Sequence, residues 1–346
     1  MPTPPKPALR MNVFARLEDW VIARRARVSM ATGQVPTVVG FRGIGSTARV
    51  RILARLLFVH PDPSTRKVRK VVRGWRAFTS VPVVNHNVTV TIGKRSFTVT
   101  SDRGGVIDVV LDLALEPGWH DIEMLASEDS EWALTEVLVV DPKATVGIVS
   151  DIDDTVMVTY LPRIFLAAWN TFVLDENARR PVPGMPVLFN KIAANYTNVP
   201  TIYLSTGPWN VAPTLERFLS RHMYPKGPLL LTDWGATPER AFRSGKEHKV
   251  TSLERLARDF PHVKWLLVGD DGQHDETIYG NFARDFPQHV LAIAIRRLST
   301  PEAVLAGAPF KHPTPTPGVQ WVYGHNGAEI AEQLQYLGLL GGPLRH

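Results

Sequence analysis

The run Thr145-Val146-Gly147-Ile148-Val149 is short, apolar and β-branched, and it leads directly into Ser150-Asp151-Ile152-Asp153-Asp154-Thr155. A run of this kind reads as a buried strand. Three carboxylates at its end narrow the choice of fold, because carboxylates this close repel one another unless a cation or a proton lies among them. The arrangement suits a divalent metal with oxygen ligands. It also offers one carboxylate as nucleophile and another as acid or base. The chemistry so favoured is phosphoryl transfer.

The same pattern recurs downstream. Asn198-Val199-Pro200-Thr201-Ile202-Tyr203-Leu204-Ser205-Thr206-Gly207 is a second apolar strand, ending in a hydroxyl and a glycine turn. Arg243-Ser244-Gly245-Lys246-Glu247-His248-Lys249 is a cationic stretch opening an amphipathic helix that carries Leu253, Leu256 and Phe260. Lys264-Trp265-Leu266-Leu267-Val268-Gly269-Asp270-Asp271-Gly272-Gln273-His274-Asp275 is a third strand ending in carboxylates. From Pro142 to about residue 300 strand and helix patterns alternate, as a parallel sheet requires. In such a sheet function gathers at the carboxyl ends of the strands.

Three strands ending in Asp-x-Asp-x-Thr, then Ser, then Gly-Asp-x-x-x-x-Asp, with a lysine before the last, resemble the four motifs of the haloacid dehalogenase superfamily of phosphatases. Over about residues 140–300 the segments Ser-Asp-Ile-Asp-Asp-Thr-Val, Ser-Thr-Gly-Pro-Trp-Asn and Val-Gly-Asp-Asp-Gly-Gln-His-Asp-Glu-Thr-Ile-Tyr resemble a narrower group. That group is the phosphatidate phosphatase domain of the yeast actin patch protein and its bacterial relatives. Gly207 and Asp271 depart from that group, whose members often carry serine there.

The resemblance implies a Rossmann-like α/β core with a parallel sheet, and an aspartyl-phosphate mechanism. In it Asp151 is the nucleophile and Asp153 the acid/base, while Ser205 donates to a phosphate oxygen. Lys249 neutralises the transferring group, with Lys246 as its rival. Mg²⁺ is expected at Asp151, the Asp153 main-chain carbonyl and Asp270, with Asp275 or alternatively Asp271 as a further acid. Asp154 and Thr155 are read as shaping the turn. Thr206, Gly207, Trp209 and His274 are the leading substrate contacts; Arg163, Trp169, Asn170, Arg179, Arg180, Trp234 and Arg243 are weaker ones.

Residues 157–183 leave room for one helix, around Arg163 to Leu174, and a proline-rich exit, so the cap is expected to be minimal and the catalytic face open. That suits a phosphate on a large or surface-bound substrate. The expected activity is Mg²⁺-dependent removal of phosphate from phosphatidate to give diacylglycerol. Two alternatives stand beside it: a phosphatidate-binding module without turnover, and a phosphatase of a soluble phosphomonoester or phosphoprotein.

The rest of the 346-residue chain reads as follows. Residues 1–34 are a proline-rich tail and an amphipathic helix over 11–30. That helix either lies on an anionic membrane or packs on its own domain; Glu18 and Asp19 interrupt its basic face and favour packing. Residues 35–142 show short strand-like runs separated by turn signals and read as a small all-β sandwich. Residues 143–305 are the haloacid dehalogenase-like domain, and 306–346 a proline-rich linker and a last helix.

Residues 1–100 hold 18 lysines and arginines against three acids, whereas residues 147–346 balance at 19 of each. The stretch Arg66 to Arg76 carries six of those cations and no acid. It is either a lipid-headgroup grip or a solvated edge strand protected by its charge. An anionic phospholipid surface is therefore the expected partner, and no nucleic acid is expected. No apolar run of eighteen residues occurs, so no transmembrane segment is expected. The absence of cysteine excludes a thiol metal site. With no secretory h-region after Met1, these features suggest a cytoplasmic protein, peripheral at the membrane.

Overall fold

The computed structural model describes residues 24–60, 81–128, 130–158, 179–232, 238–272, 274–300, 302–303 and 316–341. Several expectations lie outside these residues: the tail and most of the first helix, the basic stretch Arg66 to Arg76, the helix around Arg163 to Leu174, Trp169, Asn170 and Trp234. Of the first helix, residues 24–31 are helical, with Val28 exposed. The described residues form two compact units. One falls within Met1–Gly40, Leu53–Val109 and Asp121–Thr135, the other within Phe41–Ile52, Val110–His120 and Glu136–His346.

Among the described residues, seven strands precede residue 140: β1 (Val35–Gly45), β2 (Arg49–Val59), β3 (Asn87–Ile92), β4 (Arg95–Thr100), β5 (Val106–Asp112), β6 (Gly118–Leu125) and β7 (Ala133–Val139). They join in one sheet of order β4-β3-β6-β7-β1-β2-β5. Hydrogen bonding runs unbroken from β4 to β5. β3 and β4 form a hairpin across Gly93, whose φ of 59° is the left-handed conformation a tight turn needs. β1 pairs with β7 in parallel, so the sheet is mixed.

The second unit is built on a six-stranded sheet of β8 (Val146–Ser150), β11 (Thr201–Pro208), β12 (Leu229–Thr232), β13 (Lys264–Asp270), β14 (Val290–Arg296) and β15 (Trp321–Gly324), with a short antiparallel pair, β9 (Met157–Val158) and β10 (Arg180–Pro181), beside it. All five pairings in the large sheet are parallel, in the order β12-β11-β8-β13-β14-β15. From β8 the chain builds outward to β11 and β12, then returns to place β13 on β8's other side. Open α/β sheets bind ligands at such a reversal, outside the carboxyl ends of the strands. All five residues of β8 are buried, as an apolar strand at the centre of a parallel sheet must be.

Packed with this sheet are the helices α1 (Met185–Asn195), α2 (Ala212–Arg221), α3 (Pro238–Asp259), α4 (Asp275–Asp285) and α5 (Gly327–Tyr336). Residues 321–341 add a strand to this sheet and contain the last helix, which was expected near Ala328 to Leu339. β15 is the edge strand of the parallel sheet, and α5 docks on the start of α1, where Gly327 N–H donates to the Pro183 carbonyl at 2.9 Å. A Cβ on Gly327 would lie 2.3 Å from the Gly184 carbonyl oxygen, so this close approach requires glycine. Among the described residues no helix is long and apolar enough to cross a membrane.

Candidate active site

The acidic turn grows directly out of β8. Asp151 N–H donates to the Val268 carbonyl at 2.9 Å, so the chain stays registered on β13 one residue past the strand. It then folds back sharply. Val156 and Met157 donate to the Ile152 carbonyl, and Asp154 N–H donates to the Met157 carbonyl. Asp154 itself has φ +58°, a left-handed conformation, and Thr155 is fully buried. The fold-back leaves Asp151, Asp153 and Asp154 all buried.

Neighbouring strands bring in the other groups. β11 pairs Tyr203 with Ser150 and runs on past the end of β8, and the hydroxyl of Ser205 within it donates to Asp153 Oδ2 at 3.2 Å. Gly207 N–H donates to Ser205 Oγ, and the Thr232 hydroxyl donates to the Thr206 carbonyl at 2.8 Å, fixing the irregular stretch where the pairing of β11 with β12 shifts register. β13 pairs Val268 with Ser150 and so delivers Asp270 beside Asp151.

Asp275 opens α4 behind Gly269, where an added Cβ would lie 2.7 Å from the Asp275 Cβ and carboxylate. On α3, Gly245 and Lys249 are four residues apart and share a face. A Cβ on Gly245 would lie 2.9 Å from Thr206 Cγ2, so the glycine lets the helix approach β11 closely. Lys249 then reaches Asp151 Oδ1 and Asp275 Oδ1, both at 2.6 Å.

The geometry separates the rivals. Lys249 is 3% exposed between two carboxylates, whereas Lys246 is exposed. Asp271 accepts from Leu298 N–H at 2.9 Å, away from the group formed by Asp151, Asp270 and Asp275. Of the expected substrate contacts, Trp209 is buried and its ring stacks on Phe41 at 4.5 Å, which makes it part of the packing. His274 stands immediately before Asp275 at the head of α4. Arg179 is buried and Arg180 exposed; the side chain of Arg243 lies outside the described residues.

The electrostatics follow from burial. Burial pushes Asp151 up to about 8, opposed by Lys249 and reinforced by Asp275 and Asp153. Burial likewise raises Asp270 well above the carboxylate range, with Asp275 and Asp151 adding to it. Burial alone would lower Lys249, but Asp151 and Asp275 outweigh it and hold the ammonium well above its ordinary value. One lysine does not balance this much acid. Carboxylate oxygens of Asp151, Asp270 and Asp275 converge within 4.8 Å of one another. Among the described residues, Oδ2 of Asp151 and Oδ2 of Asp270 are buried without a hydrogen-bond partner. Buried acceptors of this kind, all oxygen and in excess of cations, fit a hard divalent ion.

Four supporting residues escaped the sequence reading: Thr232, Gly245, Gly269 and Arg296. Arg296 left a signal, a cation closing the apolar run Val290 to Ile295 just as Asp270 closes β13.

Fold and site together define a class: an α/β domain whose parallel sheet gathers aspartates, a serine and a buried lysine at its carboxyl edge. Residues 146–297 match the family described as the phosphatidate phosphatase APP1 catalytic domain, and over this stretch the chain resembles that domain. Phosphatidate phosphatase APP1 of Saccharomyces cerevisiae is 29% identical over 152 residues, 44% of this chain and 26% of that protein. An uncharacterised Schizosaccharomyces pombe protein is 29% identical over 164 residues, 47% of this chain and 27% of its own length. The chain thus spans about a quarter of the curated relatives it matches. A sialyltransferase structure from Photobacterium damsela covers 86% of this chain and 58% of its own at 9% identity, with a TM-score of 0.25, too low to indicate a common fold.

Proposed function

We propose that residues 143–305 form a haloacid dehalogenase-type, Mg²⁺-dependent phosphomonoester phosphatase whose best-fitting substrate is phosphatidate. The observation that carries the reading is Lys249 bridging Asp151 and Asp275 at 2.6 Å, while Ser205 holds Asp153 at 3.2 Å. A nucleophilic carboxylate, a charge-neutralising lysine and a hydroxyl-bound second carboxylate then meet at the strand ends. The match to the phosphatidate phosphatase catalytic domain supports the same reaction class.

Asp151 attacks phosphorus to form an aspartyl-phosphate as the bond to the leaving oxygen breaks. Asp153 gives that oxygen its proton, then removes one from the water that attacks the same phosphorus. The second attack releases phosphate and restores the Asp151 carboxylate. Lys249 opposes the protonation of Asp151 and offsets charge on the phosphoryl oxygens. The Ser205 hydroxyl and nearby backbone N–H groups orient those oxygens. Asp151, Asp270, Asp275 and the Asp153 carbonyl would hold Mg²⁺, which when bound neutralises charge on the transferring group.

The phosphatidate assignment also draws on the cationic excess in residues 1–100, which favours a cytoplasmic enzyme working at an anionic lipid surface. The test compares phosphate release from phosphatidate in mixed micelles with release from soluble phosphomonoesters, with and without EDTA. Release from phosphatidate that stops with EDTA, returns with Mg²⁺ and disappears in Asp151→Asn is expected. Phosphatidate binding without release would make the domain a lipid-binding module. Preference for soluble esters would move the substrate class.

A further inference from the structure

Arg296, the last residue of β14, is 5% exposed and forks three ways. Nη1 donates to the Asp154 carbonyl at 2.7 Å, Nη2 to Glu302 Oε1 at 2.8 Å, and Nε to the His325 carbonyl at 3.3 Å. Glu302 is itself anchored: its Oε2 accepts from the Ser299 N–H and hydroxyl, each at 2.8 Å. A guanidinium keeps its charge at any working pH, and its planar fork fixes several acceptors at once. With Glu302 beside it, that buried charge is paired.

The acceptor on the catalytic side is the informative one. Asp154 has φ +58°. A residue other than glycine is strained in that conformation and keeps it only when its surroundings hold it. The charged hydrogen bond from Arg296 supplies such a hold. The peptide so gripped joins Asp154 to Thr155, one residue past Asp153, whose carboxylate faces Ser205. Glu302 and His325 both lie beyond the family-matched residues 146–297. The C-terminal segment therefore completes the support of a turn made 170 residues earlier in the chain, taking His325 against Asp154, roughly, as the span.

We infer that Arg296 is a positioning residue: held by Glu302 and the His325 carbonyl, it locks the Asp154 peptide and so aims the Asp153 carboxylate at the leaving-group oxygen. This rests on the phosphatase reading above, in which Asp153 is the proton donor. Arg296 touches no reacting atom, so its role shows only where the proton matters. An alkoxide leaving group needs that proton, whereas p-nitrophenolate departs without it.

The experiment measures kcat and KM of the full chain on a short-chain soluble phosphatidate and on p-nitrophenyl phosphate. Arg296→Lys keeps the charge but loses the fork. It is expected to lower kcat/KM on the phosphatidate by roughly tenfold or more beyond any loss on p-nitrophenyl phosphate, because kcat/KM reports formation of the aspartyl-phosphate, before the water step that both esters share, and a misplaced general acid forfeits part of a 10²–10⁴-fold contribution there. Glu302→Gln, which weakens the hold while leaving Arg296 in place, is expected to show the same selectivity at smaller size, and it carries the test if Arg296→Lys fails to fold. Equal loss on both esters, or no loss on either, overturns the positioning role and leaves the phosphatase reading standing. A wild-type chain that hydrolyses neither ester overturns the phosphatase reading, and this inference with it.

Discussion

Gly269 shows how much of the site depends on an atom that is missing. A Cβ there would lie 2.7 Å from Asp275 Cβ, Asp275 Oδ2 and Tyr279 Cε2. None of these is the free end of a flexible side chain, since Tyr279 is fully buried and its hydroxyl donates to the Val268 carbonyl at 3.1 Å. Gly269→Ala should therefore push Asp275 off Lys249, lowering kcat by at least about tenfold and destabilising the fold by about 1–3 kcal/mol. Steady-state kinetics and thermal melts of the purified variant check both; wild-type kcat would show that the Asp275 position is not critical. The acids were legible because charged residues at the end of apolar runs have no bland place in a core, while Lys249 was legible only as one of two lysines, beside Lys246. Gly269 and Gly245 were not, since nothing adjacent in sequence reports what will lie against a missing Cβ.

At the scale of elements, β8 and β13 are joined through a ring as well as through hydrogen bonds. Trp265 is fully buried, with its ring edge-on to Phe260 at 6.2 Å, and a Cβ on Gly147 would lie 2.3 Å from Trp265 Cζ3. Gly147→Ala should cost about 1–3 kcal/mol by overpacking. At about 2–4 °C per kcal/mol for a domain of this size, thermal unfolding of the variant should show a midpoint several degrees lower. An unchanged midpoint would mean the sheet yields there without cost. β8, β11 and β13 were readable because strands buried on both faces are continuous apolar runs. β15 was not: Trp321-Val322-Tyr323-Gly324 is too short to carry a period, and only its pairing with Ile293 to Arg296 makes it a strand. The single seven-stranded sheet escaped for a related reason, since alternation marks a strand but not its partners.

At the scale of the whole molecule, charge is the property with the longest reach. If the cations of residues 1–100 serve to hold the protein on an anionic surface, binding to phosphatidate-containing vesicles should weaken steeply as salt shortens the Debye length to about 8 Å near 0.15 M. Neutralising Arg66, Lys67, Arg69 and Lys70 together should lower vesicle binding by orders of magnitude, at about 1 kcal/mol each, and leave hydrolysis of a short-chain soluble ester nearly unchanged. Co-sedimentation and turnover assays read the two effects, and undiminished vesicle binding would return that stretch to a solvated surface. The sequence by itself determined the reaction chemistry on offer, the alternation of strand and helix from residue 143 onward, and the uneven charge, because each is written in local residue types and short spacings. Tertiary structure alone decided that Lys249 rather than Lys246 meets Asp151, that Asp275 rather than Asp271 joins the acids, and that Arg296 grips Asp154. Those choices depend on strand order and close approach between segments far apart in the chain, which local spacing does not encode.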